Sequence, residues 1–258
     1  PWDGGSLIAP ADGGWVPQGP SGIPQKPDEP APHAMNEADV RHVVASFRQA
    51  ARRARSIGVD VIELHMAHGY LMHQFMSPLS NQRSDRYGGS LENRLRLPLE
   101  VFEVVREAAG ADIAVGVRLS ATDWMDGGWD IDQTVEISRQ LERLGCAFLD
   151  ISSGGLSYQQ KIPIGPGYQV RFAAQVKAAV NIPVVAVGLI TDPAQAEAIL
   201  AEGQADIVAL ARGFLHDPRW PWRAAAAMTG TVVPPRQLLR CLPHGHAPIF
   251  GDVRIGQR

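Results

Sequence analysis

Two histidines and a tyrosine, His65, His68 and Tyr70, stand within the stretch HMAHGY. Imidazoles donate and accept hydrogen bonds near neutral pH and a phenol can deliver a proton, so this grouping suits polarisation of a substrate oxygen or general acid catalysis. The run leading into it, VDVIELH from Val59 to His65, is apolar and β-branched and is bounded by Gly58 and Gly69. It predicts a fully buried parallel strand that delivers His65 to its carboxyl end, where α/β folds keep their chemistry. Two plainer readings compete. A histidine at a strand end can be a satisfied structural residue, and His65 with His68 could face one metal ion. No cysteine or acidic residue joins them at the close spacing of zinc motifs, and Glu63 sits two residues back in the strand, so no metal is assigned.

The elements that must position these residues repeat as strand, loop and helix. Residues 1–35 are rich in proline and glycine without strand-like alternation and read as an extended, irregular segment. A helix then opens on Asn36, carries Val40, Val43, Val44, Phe47, Ala51 and Ala54 on one face, and stops at Gly58. After the His65 strand, Ser90 can cap a helix to about Ala109, with Pro98 as a bend or an early position. Within the loop before it, Asn81, Arg83 and Asp85 read as loop-bracing hydrogen-bond partners. Further strands are predicted at IAVGVRLS, at Ala147 to Ser153, at IPVVAVG and at ADIVALARG, the last read as buried. Helices are expected to end at Leu144, to span Phe172 to Val180, and to start at Asp192 with Pro193 in the first position. The sheet should be parallel with right-handed crossovers.

Several strand ends carry polar groups. Arg118 closes the second strand, and burying it needs either an ion-pair partner or an anionic or polar ligand. SSGG after the third strand marks either a plain turn or a close approach by a ligand or loop. In barrels of parallel strands, the loops after the last two strands commonly build a phosphate site from backbone N–H groups. Here those loops begin at Gly188-Leu189 and Ala211-Arg212. Arg212 reads either as a phosphate contact or as an ion pair at the rim.

At 258 residues, 45% hydrophobic and 20% charged, the chain can bury a sizeable core. A net charge of -3 gives no nucleic-acid signature, and no apolar run is long enough to suggest a membrane span. Cys146 and Cys241 are too few and too distant for a disulfide framework, so a reducing, cytoplasmic setting is the expectation. Opening on Pro1 rather than methionine suggests that upstream sequence is absent.

The segment ELHMAHGYLMHQFMSPLSNQRSDRYGGSLENR resembles the one that flavin-dependent ene-reductases of the old yellow enzyme family, in their bacterial thermophilic-like branch, carry after the fourth barrel strand. Matching elements recur in order from about Pro1 to Trp222. The resemblance implies a (β/α)8 TIM barrel holding FMN, with NADPH or NADH as reductant and an activated alkene or nitro compound as substrate. It implies that His65 and His68 grip the substrate's carbonyl or nitro oxygen and that Tyr70 protonates the α-carbon. It places Arg118 beside the flavin ring, and Gly188, Leu189, Ala211 and Arg212 at the FMN phosphate; the family more often has glycine where this chain has Ala211.

Closing such a barrel takes eight strands, and only five are found. The chain therefore reads as roughly the last two thirds of an ene-reductase, the last five βα units of an incomplete barrel: 1–35 a loop, 36–229 the βα units, 230–258 a C-terminal tail. Unpaired edges beside Val59 and Ala205 favour association, so a homo-oligomer is possible. In the tail, Arg240 is nearest to the family's arginine that reaches a neighbouring subunit, with a surface-anchored tail as the plainer reading; His244 and His246 receive no role. The alternative to an enzyme is a truncated or degenerate barrel acting as an interaction or weak phosphate-ligand-binding module.

Overall fold

The computed structural model describes residues 7–241 and 249–250; His244 and His246 lie outside them. Before the first helix, strands β1 (Gln18–Gly19) and β2 (His33–Ala34) pair in parallel and close the proline-rich stretch into a loop. This differs from the expectation of a wholly irregular segment: a ladder of two residues is too short to show alternation. Helix α1 (Glu37–Ser56) begins with a capping box, in which Asn36 accepts from the backbone N–H of Ala38 and Asp39 while Asp39 accepts from the N–H of Asn36. Such a cap contributes about 1 kcal/mol. Then come β3 (Val61–Met66), α2 (Leu71–Met76), α3 (Leu91–Ala109), β4 (Ala114–Ser120) and α4 (Ile131–Arg143). They are followed by β5 (Leu149–Ser152), α5 (Val170–Lys177), β6 (Val184–Val187), α6 (Pro193–Ala201), β7 (Ile207–Ala209), α7 (Arg212–His216) and α8 (Trp220–Ala227). Pro98 lies inside α3, with its ring buried in the core, and Asp192 caps α6 with Pro193 in its first turn.

Strands β3 to β7 form one parallel sheet in sequence order, each paired with its neighbour, so among the described residues five βα units of a TIM-type barrel are present and the sheet does not close. The strands are shorter than the sequence pattern suggested because Val59, Ile113, Ala147, Ile182 and Ala205 fall outside the paired register. One face of the sheet packs on helices: Leu64 and Met66 join Val40 and Ala51 of α1 and Leu95, Val101 and Phe102 of α3 in the core. Across the opposite, open face the register aligns His65, Arg118, Asp150, Val185 and Ile207 in one row.

That open face corrects two expectations. The His65 strand is not fully buried: Val61 is 53% exposed, and Glu63 and His65 are exposed beside it. Nor is β7 a buried strand, since Ile207 is 48% exposed. An apolar run reports what a closed barrel would cover, whereas in a sheet with two open edges the alternate side chains of the edge strands face solvent.

Candidate functional site

The carboxyl end of β3 brings the predicted residues together. The His65 ring lies 5.0 Å from the His68 ring and 5.3 Å from the Tyr70 ring, centroid to centroid. Tyr70 is 64% exposed, so its phenol is open to an incoming molecule. The turn that folds His68 back toward His65 is unusual: His68 has φ 57° and Gly69 φ 76°, two successive left-handed residues. Such a conformation costs on the order of 1 kcal/mol at a non-glycine residue and must be held from outside.

Three sets of contacts hold it. The His68 N–H donates to Ser120 Oγ at 2.9 Å, and Ser120 Oγ donates to Gly154 O at 2.9 Å. The loop after β5 presses on the turn, so closely that a Cβ on Gly155 would stand 2.4 Å from His68 Cα, and one on Gly69 would stand 2.2 Å from Gly155 O. The glycines of SSGG therefore serve the close approach of two loops. Finally, the Gly69 N–H donates to His73 Nδ1 at 2.9 Å, which leaves the hydrogen of a neutral His73 on Nε2. Nε2 lies 2.8 Å from Asp123 Oδ1, and both side chains are wholly buried. Asp123 Oδ2 accepts from Ser77 Oγ at 2.6 Å and from the Trp129 N–H at 2.7 Å. Two donors thus hold Oδ2 of this buried carboxylate, while Oδ1 and His73 Nε2 stand at ion-pair distance without an aligned hydrogen bond.

Arg118 has an ion-pair partner, the first of the two possibilities that its burial raised. Its Nε is 3.5 Å from Asp150 Oδ2, an ion pair too long for a good hydrogen bond, and both Arg118 Nε and Asp150 Oδ1 lack a hydrogen-bond partner among the described residues. Burial, opposed by Arg118 and assisted by nearby Glu63, pushes the Asp150 carboxyl up to about 6. Burial also raises Glu63. Burial first, then the Arg118 charge, lowers His65, and the same causes together with the neighbouring histidines bring His68 down to about 4. Both imidazoles are thus neutral at pH 7, each holding one hydrogen.

The loops after β6 and β7 present backbone more than side chain. Gly188 is buried with φ 129° and Leu189 follows with φ 52°. A Cβ on Gly188 would meet Gln169 Nε2 at 2.7 Å. Ala211 precedes α7 and Arg212 opens it, both exposed. The strands beneath are neighbours, with Val187 opposite Ala209. A cavity of about 690 Å³ runs from His68, Gly69 and Tyr70 to the proline-rich loop and to Leu156, Ser157, Tyr158 and Gln159.

Residues 9–229 match the model of the NADH:flavin oxidoreductase / NADH oxidase family. The chain belongs to this family. It is 43% identical over 213 residues to the NADPH dehydrogenase of Geobacillus sp. (strain WCH70), covering 83% of this chain and 62% of the relative. It is 39% identical over 218 residues to the NADH oxidase of Thermoanaerobacter brockii, covering 82% and 33%. Among solved structures, 2-naphthoyl-CoA reductase in complex with 2-naphthoyl-CoA superposes with TM-score 0.77 at 28% identity, over 83% of this chain and 33% of that one. Morphinone reductase in complex with tetrahydroNAD gives 0.69 at 28%, over 83% and 61%. The chain thus spans 62% of the Geobacillus relative and, at 42% identity, 64% of the Bacillus licheniformis one.

Several residues that pack around His65, His68 and Tyr70 escaped the sequence reading. His73 lay in full view in LMHQF and Asp123 in ATDWMDGG, yet nothing local joins them; they meet only because β3 and β4 are adjacent. Ser152 and Gln169 likewise come together from the end of β5 and the residue before α5. No local pattern in the sequence marks these residues as partners, because their burial is known only from the fold. Asn81, Arg83 and Asp85 do brace their loop: Asn81 Nδ2 donates to Phe75 O at 2.7 Å and to Tyr87 O at 2.8 Å, and Arg83 pairs with Asp85.

Proposed function

We propose that this chain is the catalytic-face portion of an FMN-dependent oxidoreductase that reduces activated alkenes or nitro compounds at the expense of NADPH or NADH. The observation that carries the reading is the triad of His65, His68 and Tyr70 at the end of β3, one strand from Arg118, in a member of this flavin oxidoreductase family. The names of the relatives, NADPH dehydrogenase and NADH oxidase, and the tetrahydroNAD bound to morphinone reductase support it.

The donor set suits FMN. Arg118 carries an Nε without a hydrogen-bond partner at the sheet's open face, and the Gly188-Leu189 and Ala211-Arg212 loops offer backbone and a cation for an anionic group. FMN, when bound, would supply the hydride chemistry between nicotinamide and substrate. His65 and His68, neutral and oriented, would donate hydrogen bonds to the substrate's carbonyl or nitro oxygen and stabilise the charge that develops there. Tyr70, solvent-facing and against His65, would give its phenolic proton to the substrate's α-carbon. The cavity beside His68 and Tyr70 would hold the remainder of the substrate.

The test begins with FMN titrated into this polypeptide, followed by flavin fluorescence. With five strands in an open sheet, weak binding and little alkene reduction are expected, and a polypeptide with three further upstream βα units, about a hundred residues, should gain both. In that longer protein, His65→Ala combined with His68→Ala should slow enone reduction by about 100-fold or more while sparing flavin reduction by NADPH. Unchanged enone turnover in the double variant would sink the reading.

A further inference from the structure

The hydrogen bonds beneath His68 can be assigned one after another from chemistry alone. Gln169 is buried, and its Nε2 lies 3.0 Å from Val187 O, which only accepts. The amide is therefore oriented with Oε1 toward Ser152 and Ser153. Ser153 Oγ receives the indole N–H of Trp124 at 3.0 Å and gives its own hydrogen to Gln169 Oε1 at 2.6 Å. Ser152 Oγ, also buried, stands between two acceptors: Gln169 Oε1 at 3.2 Å and His68 Nε2 at 2.7 Å.

The single hydrogen of Ser152 thus selects the tautomer of His68. Given to Gln169, it would require His68 Nε2 to carry the ring hydrogen, leaving Nδ1 a bare lone pair. Given to His68, it makes Nε2 the acceptor and puts the ring hydrogen on Nδ1, which has no hydrogen bond to the described residues. The shorter contact is to His68, and Gln169 Oε1 already holds the closer bond from Ser153. The choice is a real one because His68 is neutral at pH 7 and carries only one ring hydrogen.

We propose that Ser152, by giving its one hydrogen to His68 Nε2, is a positioning residue that holds His68 in its Nδ1–H tautomer and so makes it a hydrogen-bond donor to substrate. Its catalytic meaning rests on the reading given under Proposed function. A histidine in the other tautomer would meet a carbonyl oxygen lone pair to lone pair. Gln169 in turn is held over Gly188 by its hydrogen bond to Val187 O, with its Oε1 beside Ser152.

The tautomer can be read without flavin or substrate. The full chain, labelled with 15N-histidine, is examined at pH 7 by long-range 1H–15N correlation, with His68 assigned through its missing signals in His68→Gln. The expected pattern is a protonated, pyrrole-like Nδ1 and an unprotonated, pyridine-like Nε2 moved upfield by its hydrogen bond. In Ser152→Ala that pattern should be lost, the two nitrogen shifts moving toward each other as the tautomers mix, and Ser152→Thr, which restores a hydroxyl, should recover it. Should Ser152→Ala not fold, Ser152→Cys keeps the shape and weakens the donor, and the same shift is expected in part. A wild-type His68 with its hydrogen on Nε2, or with both nitrogens protonated, overturns the proposal, as does a pattern unchanged in the folded Ala or Cys variant. Loss of alkene reduction in the longer protein would leave this result untouched, and a contrary tautomer would leave the flavin reading standing.

Discussion

The β3–β5 end of the sheet and the β6–β7 end are built differently, although the same parallel ladder runs through both. At the first, side chains hold one another in depth: Ser152 against His68, Ser153 bonded to Gln169, and His73 at ion-pair distance from Asp123 beneath the turn. At the second, the predicted anion-binding residues are two left-handed backbone positions and an exposed arginine, and the strand beneath them is half uncovered. Groups that must donate a hydrogen in a set direction need locked rotamers and tautomers, whereas a multivalent anion is satisfied by backbone N–H groups and diffuse positive charge. Side-chain substitutions at the two ends should therefore differ in kind, stability and orientation suffering at the first and affinity at the second.

The largest effect is expected at the brace. Asp123→Ala leaves the His73 Nε2–H, the Ser77 hydroxyl and the Trp129 N–H facing a buried void. A loss on the order of 3–5 kcal/mol should appear in urea unfolding followed by circular dichroism. A loss below about 1 kcal/mol would mean that the turn is held by its other contacts alone.

Next comes a pair of opposed pH dependences at the same end. Asp150, raised from 3.8 to about 6, binds more protons folded than unfolded between those values, so it lowers stability as pH rises through that window, by up to about 2–3 kcal/mol. His68, lowered from 6.5 to about 4, binds fewer protons folded than unfolded, so its contribution is present above 6.5 and lost as pH falls toward 4. The two slopes oppose each other in the wild type. Asp150→Asn should steepen the loss of stability on acidification from pH 6.5 to 4, and His68→Gln should reverse its sign. Parallel unfolding curves for the three proteins across that range would show that the two groups are not perturbed.

Smaller changes belong to the other end. Gly188→Ala combines a φ of 129° with a Cβ 2.7 Å from Gln169 Nε2, and should cost on the order of 1–3 kcal/mol by the same urea assay. Because Gln169 is the group displaced, this variant should also disturb the His68 nitrogen signals, which a purely local strain would not do. Arg212→Ala removes an exposed side chain and should change stability by less than about 0.5 kcal/mol. In the longer, closed protein it should nonetheless weaken FMN several-fold by fluorescence titration, with a shallower salt dependence than wild type.

Helix legibility followed from local chemistry. Asn36, Ser90 and Asp192 each accept the capping hydrogen bonds that their residue types and places suggested. Strand order was equally accessible, because five apolar runs alternating with helices leave a parallel sheet as the economical arrangement. Burial was not, as Val61 and Ile207 show: hydrophobic type reports a side chain's preference, and whether a neighbour exists to cover it is a property of the closed or open sheet.

For the site, HMAHGY by itself determined that two imidazoles and a phenol would crowd the end of one strand, since residues so near in sequence cannot be far apart in space. Only the tertiary structure decided what surrounds them. Partners such as Asp123 for His73, Asp150 for Arg118 and Ser152 for His68 lie 50, 32 and 84 positions away, and it is the β3–β4–β5 register that brings them within hydrogen-bonding or ion-pair distance. Proton position and pKa depend on contacts of a few ångströms between groups distant in the chain, and such contacts exist only after the sheet has formed.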